Sequence, residues 1–318
     1  MKKCTIGGQA VMEGVMMKSP EGYGLAVRKS DGSIVTEYHK NKKTRKKGSF
    51  ATWPVVRGVF TFADALVSGI RITTRSAELL GEEFEEEPSR FEKWLAEKLG
   101  KSVMDIALVI AVILAIGLSV LLFFVLPSTI VHFFGLDGGL LKSLAEGVVR
   151  LVIFLGYLLA ISRLKTIRRV FAYHGAEHKT IACYEAEDEL TPENAMKYTR
   201  LHPRCGTNFM FLVMAISILF FACVPGPEVF GLAATGGFDL LYRIGTRLLL
   251  IPLVAGLSYE VLRGAAASDN VFSRIVRAPG LALQRLTTVE PDAEMCEVAI
   301  AAFALALGPP EAGEKSEE

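Results

Sequence analysis

His174, Glu177 and His178 stand close together in the stretch FAYHGAEHKTIACYEAEDEL, residues 171–190. On an α-helix, positions i and i+4 share a face, so the two imidazoles can reach one cation while Glu177 lies beside them. The order His-x-x-Glu-His is that of the inverted zincin signature, in which two histidines hold zinc and the glutamate acts as base. Glu185 falls two turns beyond His178 on the same face, the one member of the acidic run Glu185 to Glu189 placed to join a metal. A plainer alternative keeps these residues as polar side chains of an interfacial helix, with Glu177 paired to Lys179 or Arg169.

A second cluster follows in RLHPRCGTNF, residues 200–209. His202 and Cys205 are metal-competent, Arg200 and Arg204 could take an anionic substrate group, and Gly206-Thr207-Asn208 opens a helix whose amides could do the same. Between the clusters, Thr191 reads as a helix cap with Pro192 at the first helical position, which makes a compact hairpin. Two geometries compete. Ligation by His174, His178, His202 and Cys205 together would close a tetrahedral structural site. Three protein ligands, with Glu185 as a further candidate, would leave a position for water that Glu177 could deprotonate.

The chain that must position these groups is apolar. Hydrophobic residues make up 51% of the 318 positions, and the mean hydropathy is +0.37, so membrane spans are sought before soluble cores. Four stretches approach the roughly 20 apolar residues that cross a bilayer: Val103 to Leu126, Gly147 to Ser162, Asn208 to Val224 and Ile244 to Leu262. The first fifty residues hold eleven lysines and arginines and the segment 163–204 holds eight, whereas 127–140 and 225–239 hold none. The positive-inside rule then puts both termini and the 163–204 hairpin in the cytosol. The first thirty residues lack the apolar core of a secretory signal, and five scattered cysteines without a CxxC pair suit a reducing compartment.

The expected fold class is mainly α: about four transmembrane helices, interfacial helices and a small N-terminal β element. Its parts are a β element with a basic loop (1–50), an interfacial helix and acidic linker (51–102), the membrane domain (103–262) with the hairpin 163–206, C-terminal interfacial helices (263–308) and a disordered tail (309–318). YGLAVRKSDGSIVTEYHK reads as a hairpin about Asp31-Gly32, while GGQAVMEGVMMKSP before it gives no clear helix or strand pattern. Lys42, Lys43, Arg45, Lys46 and Lys47 form a basic run suited to anionic headgroups or RNA, or simply to solvent. In residues 51–80, Val59, Phe60, Ala63, Leu66, Val67 and Ile70 share an apolar face that fits a helix lying in the interface. PGLALQRLTT could lie along the membrane, and Pro291 marks a helix start. Met12, Met16 and Met17 read as packing. Glu260 reads as paired with Arg263 at a span terminus, and Lys142, Glu146, Arg150, Arg243 and Arg247 as interfacial ion pairs or the lining of a polar cleft.

Five motifs in order, GGQAVMEGVMM, HGAEHKTI, LHPRCGTNF, LLIPLVAGLSYEVLR and PGLALQRLTTVEPD, make the chain resemble the YqhQ-like family over nearly its whole length. That family comprises polytopic bacterial membrane proteins described as predicted metal-dependent enzymes. The resemblance implies a bacterial inner-membrane location and a divalent metal, zinc in first place, on His174, Glu177 and His178, and by position on His202 and Cys205. It places Glu13, Tyr259 and Glu260 in the same neighbourhood. A metal-dependent hydrolase acting on a peptide or lipid headgroup is the first expectation. A non-enzymatic membrane-protein biogenesis factor with a structural metal and contacts to a ribosome or translocon is the second, and a transporter the third. The membrane is the expected partner, a homo-oligomer is compatible, and no sequence-specific nucleic acid is expected.

Overall fold

The computed structural model describes residues 6–41, 48–81, 110, 113–136, 139–203, 205–224, 236–267 and 270–308. The basic run 42–47, the acidic linker with Trp94, Arg204 and the tail 309–318 lie outside the described residues. The protein is mostly helical with a small N-terminal sheet. It divides into one unit of Met1–Gly81, Leu158–Val213 and Ala255–Glu318, and another of Glu82–Tyr157 and Met214–Val254.

In the first unit, β1 (Gly7–Val11), β2 (Gly14–Lys18), β3 (Gly22–Arg28) and β4 (Ile34–Lys40) form an antiparallel meander in that order. The Asp-Gly hairpin joins β3 to β4, with Gly32 at φ +87°. The preceding stretch, unreadable as a pattern, is the other hairpin, and Glu13 turns it at φ 50°. Both faces of this sheet are covered. Val11, Met16, Leu25 and Val27 pack beneath Ile72 and Leu80 of α1 (Val56–Leu80). Val15, Met17 and Ala26 pack on Tyr173 and Ala176 of α4 (Lys165–Glu185) and on Ala299, Ala302 and Phe303 of α9 (Ala293–Leu307). Period-two alternation therefore separates two apolar sets rather than apolar from polar, which removes the strand signal from the sequence.

Alanines line the face of α9 that meets the sheet, and the packing is close. A Cβ at Gly24 would sit 2.6 Å from the Ala302 carbonyl oxygen. Asp292 caps α9 by accepting from the Met295 N–H at 2.8 Å. On α1 the opposite face stays outside: Phe60, Leu66, Val67 and Ile70 are exposed, as an interfacial helix requires. Its N-terminus is tied by Arg57 to Glu260, whose carboxylate also accepts from the Val55 N–H. Glu260 thus makes its hydrogen-bonded ion pair with Arg57, while Arg263, the partner the sequence suggested, acts on it through charge alone.

Three helices of the described residues are long and apolar enough to cross a membrane: α2 (Ile113–Phe133), α3 (Gly139–Ile161) through its part Leu140–Ile161, and α7 (Gly236–Ala267) through Ile244–Ala265. The expected span Asn208 to Val224 forms a shorter helix, α6 (Gly206–Ala222), of 17 residues. It rises about 25 Å, short of a ~30 Å hydrocarbon core. In the second unit Glu146 of α3, 2% exposed, accepts from Arg247 of α7 at 3.1 Å. Arg150 donates to the Phe123 carbonyl at 2.7 Å, where α2 makes a π turn over Leu121–Val125. Of the charges expected on these helices, Glu146, Arg150 and Arg247 face protein and each other, and the side chain of Arg243 lies outside the described residues.

One backbone crossing fixes where α4 meets the chain entering α9. The Val289 N–H donates to the Phe171 carbonyl at 2.8 Å, and Gly175 leaves room for it, since a Cβ there would stand 2.2 Å from the Val289 oxygen. Gly175→Ala should destabilise the first unit by about 2 kcal/mol, the scale of overpacking a tight contact. The thermal midpoint of the detergent-solubilised protein reads this directly, and an unchanged midpoint would show that the crossing can open without loss.

Candidate metal centre

Eleven of the 21 residues of α4 are buried. Its inward stripe is polar: Glu177 is 4% exposed, His178 1% and Glu185 8%. Buried polar groups persist only where something satisfies them, so each partner is informative.

The His174 Nδ1 lies 2.9 Å from the Thr287 carbonyl oxygen, and the His178 Nδ1 lies 2.6 Å from that of Arg200. A carbonyl only accepts, so both imidazoles carry their proton on Nδ1 and present the Nε2 lone pair. The His178 Nε2 is buried without a hydrogen-bond partner. The His174 Nε2 points to Cys205 Sγ at 3.1 Å. The ligand atoms of His174, His178 and Cys205 lie within 4.8 Å of one another. A tetrahedral zinc with bonds of 2.0–2.3 Å wants them about 3.3–3.8 Å apart, a gap that small side-chain rotations close. Two fixed imidazole lone pairs, one of them on the orphaned His178 nitrogen, and a thiol suit a borderline-soft divalent cation.

Glu177 shares the pocket. One carboxylate oxygen accepts the Gly8 backbone N–H. The other, Oε2, is buried without a partner. Burial pushes the Glu177 carboxyl up to about 8, Cys205 adds to the rise, and His174 and the Gly8 N–H oppose it. Burial holds His178 down at about 3 and also lowers His202, so His178 stays neutral and able to ligate at any physiological pH.

The other expected residues fall into place around this core. The ring of His202 lies 5.7 Å from that of His178, and its Nε2 faces Glu185 at 3.5 Å. The pair borders the triad, Glu185 facing His202. Arg200 donates to the Thr288 carbonyl and hydroxyl oxygens and pairs with Glu290, so its guanidinium holds the loop before α9 while its carbonyl orients His178. Glu13 accepts from Arg169 and from the Tyr173 hydroxyl, on the turn of α4 before His174. Tyr259 packs its Cβ near Gly58, beside the Arg57–Glu260 pair. Lys179, 2% exposed, donates to the Met196 and Tyr198 carbonyls and pairs with Glu290, not with Glu177. The Thr191 cap forms as expected, its side chain accepting from the Asn194 N–H.

Sequence reasoning missed the residues that hold the His-Pro-Arg-Cys turn. Gln284, on α8 (Val271–Thr287), accepts the His202 N–H at 2.8 Å and donates to the His202 carbonyl at 2.8 Å and to Asn208 at 3.1 Å. Asn208 donates to the Pro203 carbonyl at 2.6 Å. Gly280 admits the contact, since a Cβ there would meet Asn208 Oδ1 at 2.2 Å. PGLALQRLTT therefore packs against the centre through Leu283, Gln284 and Thr287. The lone glutamine among apolar neighbours was the available signal. A cavity of about 610 Å³ opens on the site, lined by Ile6 to Gln9, Lys18 to Pro20, Ala65, Ser68 and the faces of Glu177, His178, His202 and Cys205.

Elemental analysis of the purified protein should find bound zinc that His174→Ala and Cys205→Ser both abolish. Gln284→Leu, which frees the turn without touching a ligand, should weaken zinc binding by about tenfold or more, as loss of an orienting contact does. Wild-type affinity in that variant would show that the clamp does not set the ligand geometry.

The chain matches the family described as "Protein of unknown function (DUF1385)" over residues 53–308. It is 34% identical over 304 residues to "Uncharacterized protein YqhQ" of Bacillus subtilis (strain 168), covering 93% of this chain and 90% of that protein. No solved structure matches it significantly. With both comparisons spanning most of its length, the chain belongs to the DUF1385 family of YqhQ-like proteins.

Proposed function

We propose that this protein is a metal-dependent hydrolase at the cytosolic face of a bacterial inner membrane, with both termini cytosolic, acting on a peptide or a lipid headgroup. His174, His178 and Cys205 would hold the cation, zinc by their donor chemistry. The observation that carries the proposal is the Oε2 of Glu177, buried and unpartnered beside the two histidines. A structural site has no use for such a group, because a buried acceptor without a donor costs stability. A general base needs one.

Bound there, the cation supplies Lewis acidity, polarising the scissile carbonyl or phosphoryl group and the attacking water. The protein's own residues do the rest. A cation held beside it would favour the ionised carboxylate against burial, and Glu177 Oε2 would then take a proton from water as the water oxygen bonds to the electrophilic centre and return it to the leaving nitrogen or oxygen as that bond breaks. The Gly8 N–H holds the other carboxylate oxygen, so the base presents one atom in one direction. The Thr287 and Arg200 carbonyls keep the imidazoles in the ligating tautomer.

A second reading is favoured by Cys205, since a thiolate among the ligands is common in structural zinc sites. The metal would then fasten the hairpin of a biogenesis factor whose basic run, Lys42 to Lys47, meets a ribosome or translocon. Glu177→Gln separates the two. For a hydrolase it keeps the metal and lowers activity by about 10²–10⁴-fold, with loss of complementation in a strain lacking the protein. Full complementation by a metal-loaded Glu177→Gln protein would overturn the hydrolase.

A further inference from the structure

The N-terminal sheet leaves one edge beside the centre. Among the described residues β1 is an edge strand, paired with β2 alone. The hairpin closes on Val11 and Gly14 with two residues between them, so the hydrogen-bonded pairs are Val11 with Gly14, Gln9 with Met16 and Gly7 with Lys18. Gly8 and Ala10 then turn their N–H and C=O groups away from β2. Glu177 stands against this strand, its carboxyl carbon 2.7 Å from where a Gly8 Cβ would lie, and the Gly8 N–H favours its carboxylate, so β1 runs beside the base. The strand is exposed at Gly7 and Gly8, and Gly7, Gly8 and Gln9 line the cavity with Glu177 and His178.

We propose that the substrate is a polypeptide, bound in extended conformation as an added strand along the outer edge of β1 from Gly7 to Ala10, its scissile amide carried to Glu177. This rests on the hydrolase reading and narrows it to one substrate class. An unpaired edge is a ready template for a further strand. The Gly8 carbonyl would accept a substrate N–H and the Ala10 N–H would meet a substrate carbonyl, with no side chain of the substrate needed for either contact. The opposite wall is built for room, with Ala65 and Ser68 of α1 facing the strand across the cavity. Gly7 is open as well: a Cβ there meets nothing within 4 Å. A phosphate headgroup finds less. Lys18 is the one lysine or arginine among the described lining residues, and Arg200 is engaged by Thr288 and Glu290.

The test uses the full-length, zinc-loaded protein in detergent and three hydroxamates of increasing peptide character, followed by calorimetric titration. Acetohydroxamate engages the metal alone. The second probe is acetyl-Leu-Ala-Ala hydroxamate, and the third is the same peptide methylated on its central amide nitrogens. The peptide hydroxamate should bind at least 100-fold more tightly than acetohydroxamate, and methylation should remove at least tenfold of that gain. Gly7→Tyr, which fills open space away from every ligand, should remove the peptide's advantage and leave acetohydroxamate binding and zinc content unchanged. Equal affinity for the three probes, or a peptide advantage that survives both methylation and Gly7→Tyr, would overturn strand addition while leaving the hydrolase standing. Glycerol phosphate displacing acetohydroxamate more effectively than the peptide does would assign the cavity to a lipid headgroup and overturn the peptide. Failure of acetohydroxamate to bind zinc-loaded protein would overturn both readings together.

Discussion

Two backbone carbonyls govern this centre. Those of Thr287 and Arg200 receive the Nδ1 protons of His174 and His178, and through that single constraint each imidazole has one tautomer, one ring orientation and one lone pair to offer. The carbonyls come from segments far from α4 in the sequence, the end of α8 and the hairpin before α6. Ligand geometry is thus a property of the tertiary fold, and much of the first unit can be understood as the means of bringing those two oxygens to α4. The Gln284 clamp sets the turn on one side, and the Gly175 crossing sets the approach of the chain on the other.

Polar burial in α4 follows the same logic. Lys179, Glu177 and His178 lie deeper than charged or ionisable residues usually do. Lys179 is satisfied by two carbonyls and a carboxylate, and its neighbours are satisfied in part. Glu177 Oε2, His178 Nε2 and the Thr180 hydroxyl are buried without such partners, and of these three Glu177 and His178 line the cavity.

How much of this was written in the sequence depends on the range of the signal. His174, His178 and Cys205 could be read as candidate ligands, among the five the sequence offered, because i, i+4 spacing and the His-Pro-Arg-Cys motif are local, and so could the Asp-Gly hairpin and the Thr191 cap. The first hairpin could not: Val11, Met16 and Val15, Met17 are apolar on both faces of a covered sheet, and Glu13 occupies a left-handed position that glycine or asparagine usually takes. Gln284, Thr287 and Gly8 were equally hidden, since each acts through a backbone group or a distant partner. The apolar stretch at Asn208 to Val224 announced a span by composition, yet its helix, at 17 residues, is shorter than the other three apolar helices. Composition reports what a segment can be buried in, and length of regular backbone decides how far it reaches.

The position of α9 has a temporal meaning. It covers the N-terminal sheet from the far end of the chain, and Arg28 donates to the Glu294 carbonyl across 266 residues. During synthesis the strands emerge first and wait, one apolar face uncovered, until everything between has been made and inserted. Only when α9 arrives can the sheet settle and present Gly8 to Glu177. A chain whose synthesis has not yet reached α9 therefore carries its histidines before the sheet beside them has its full cover.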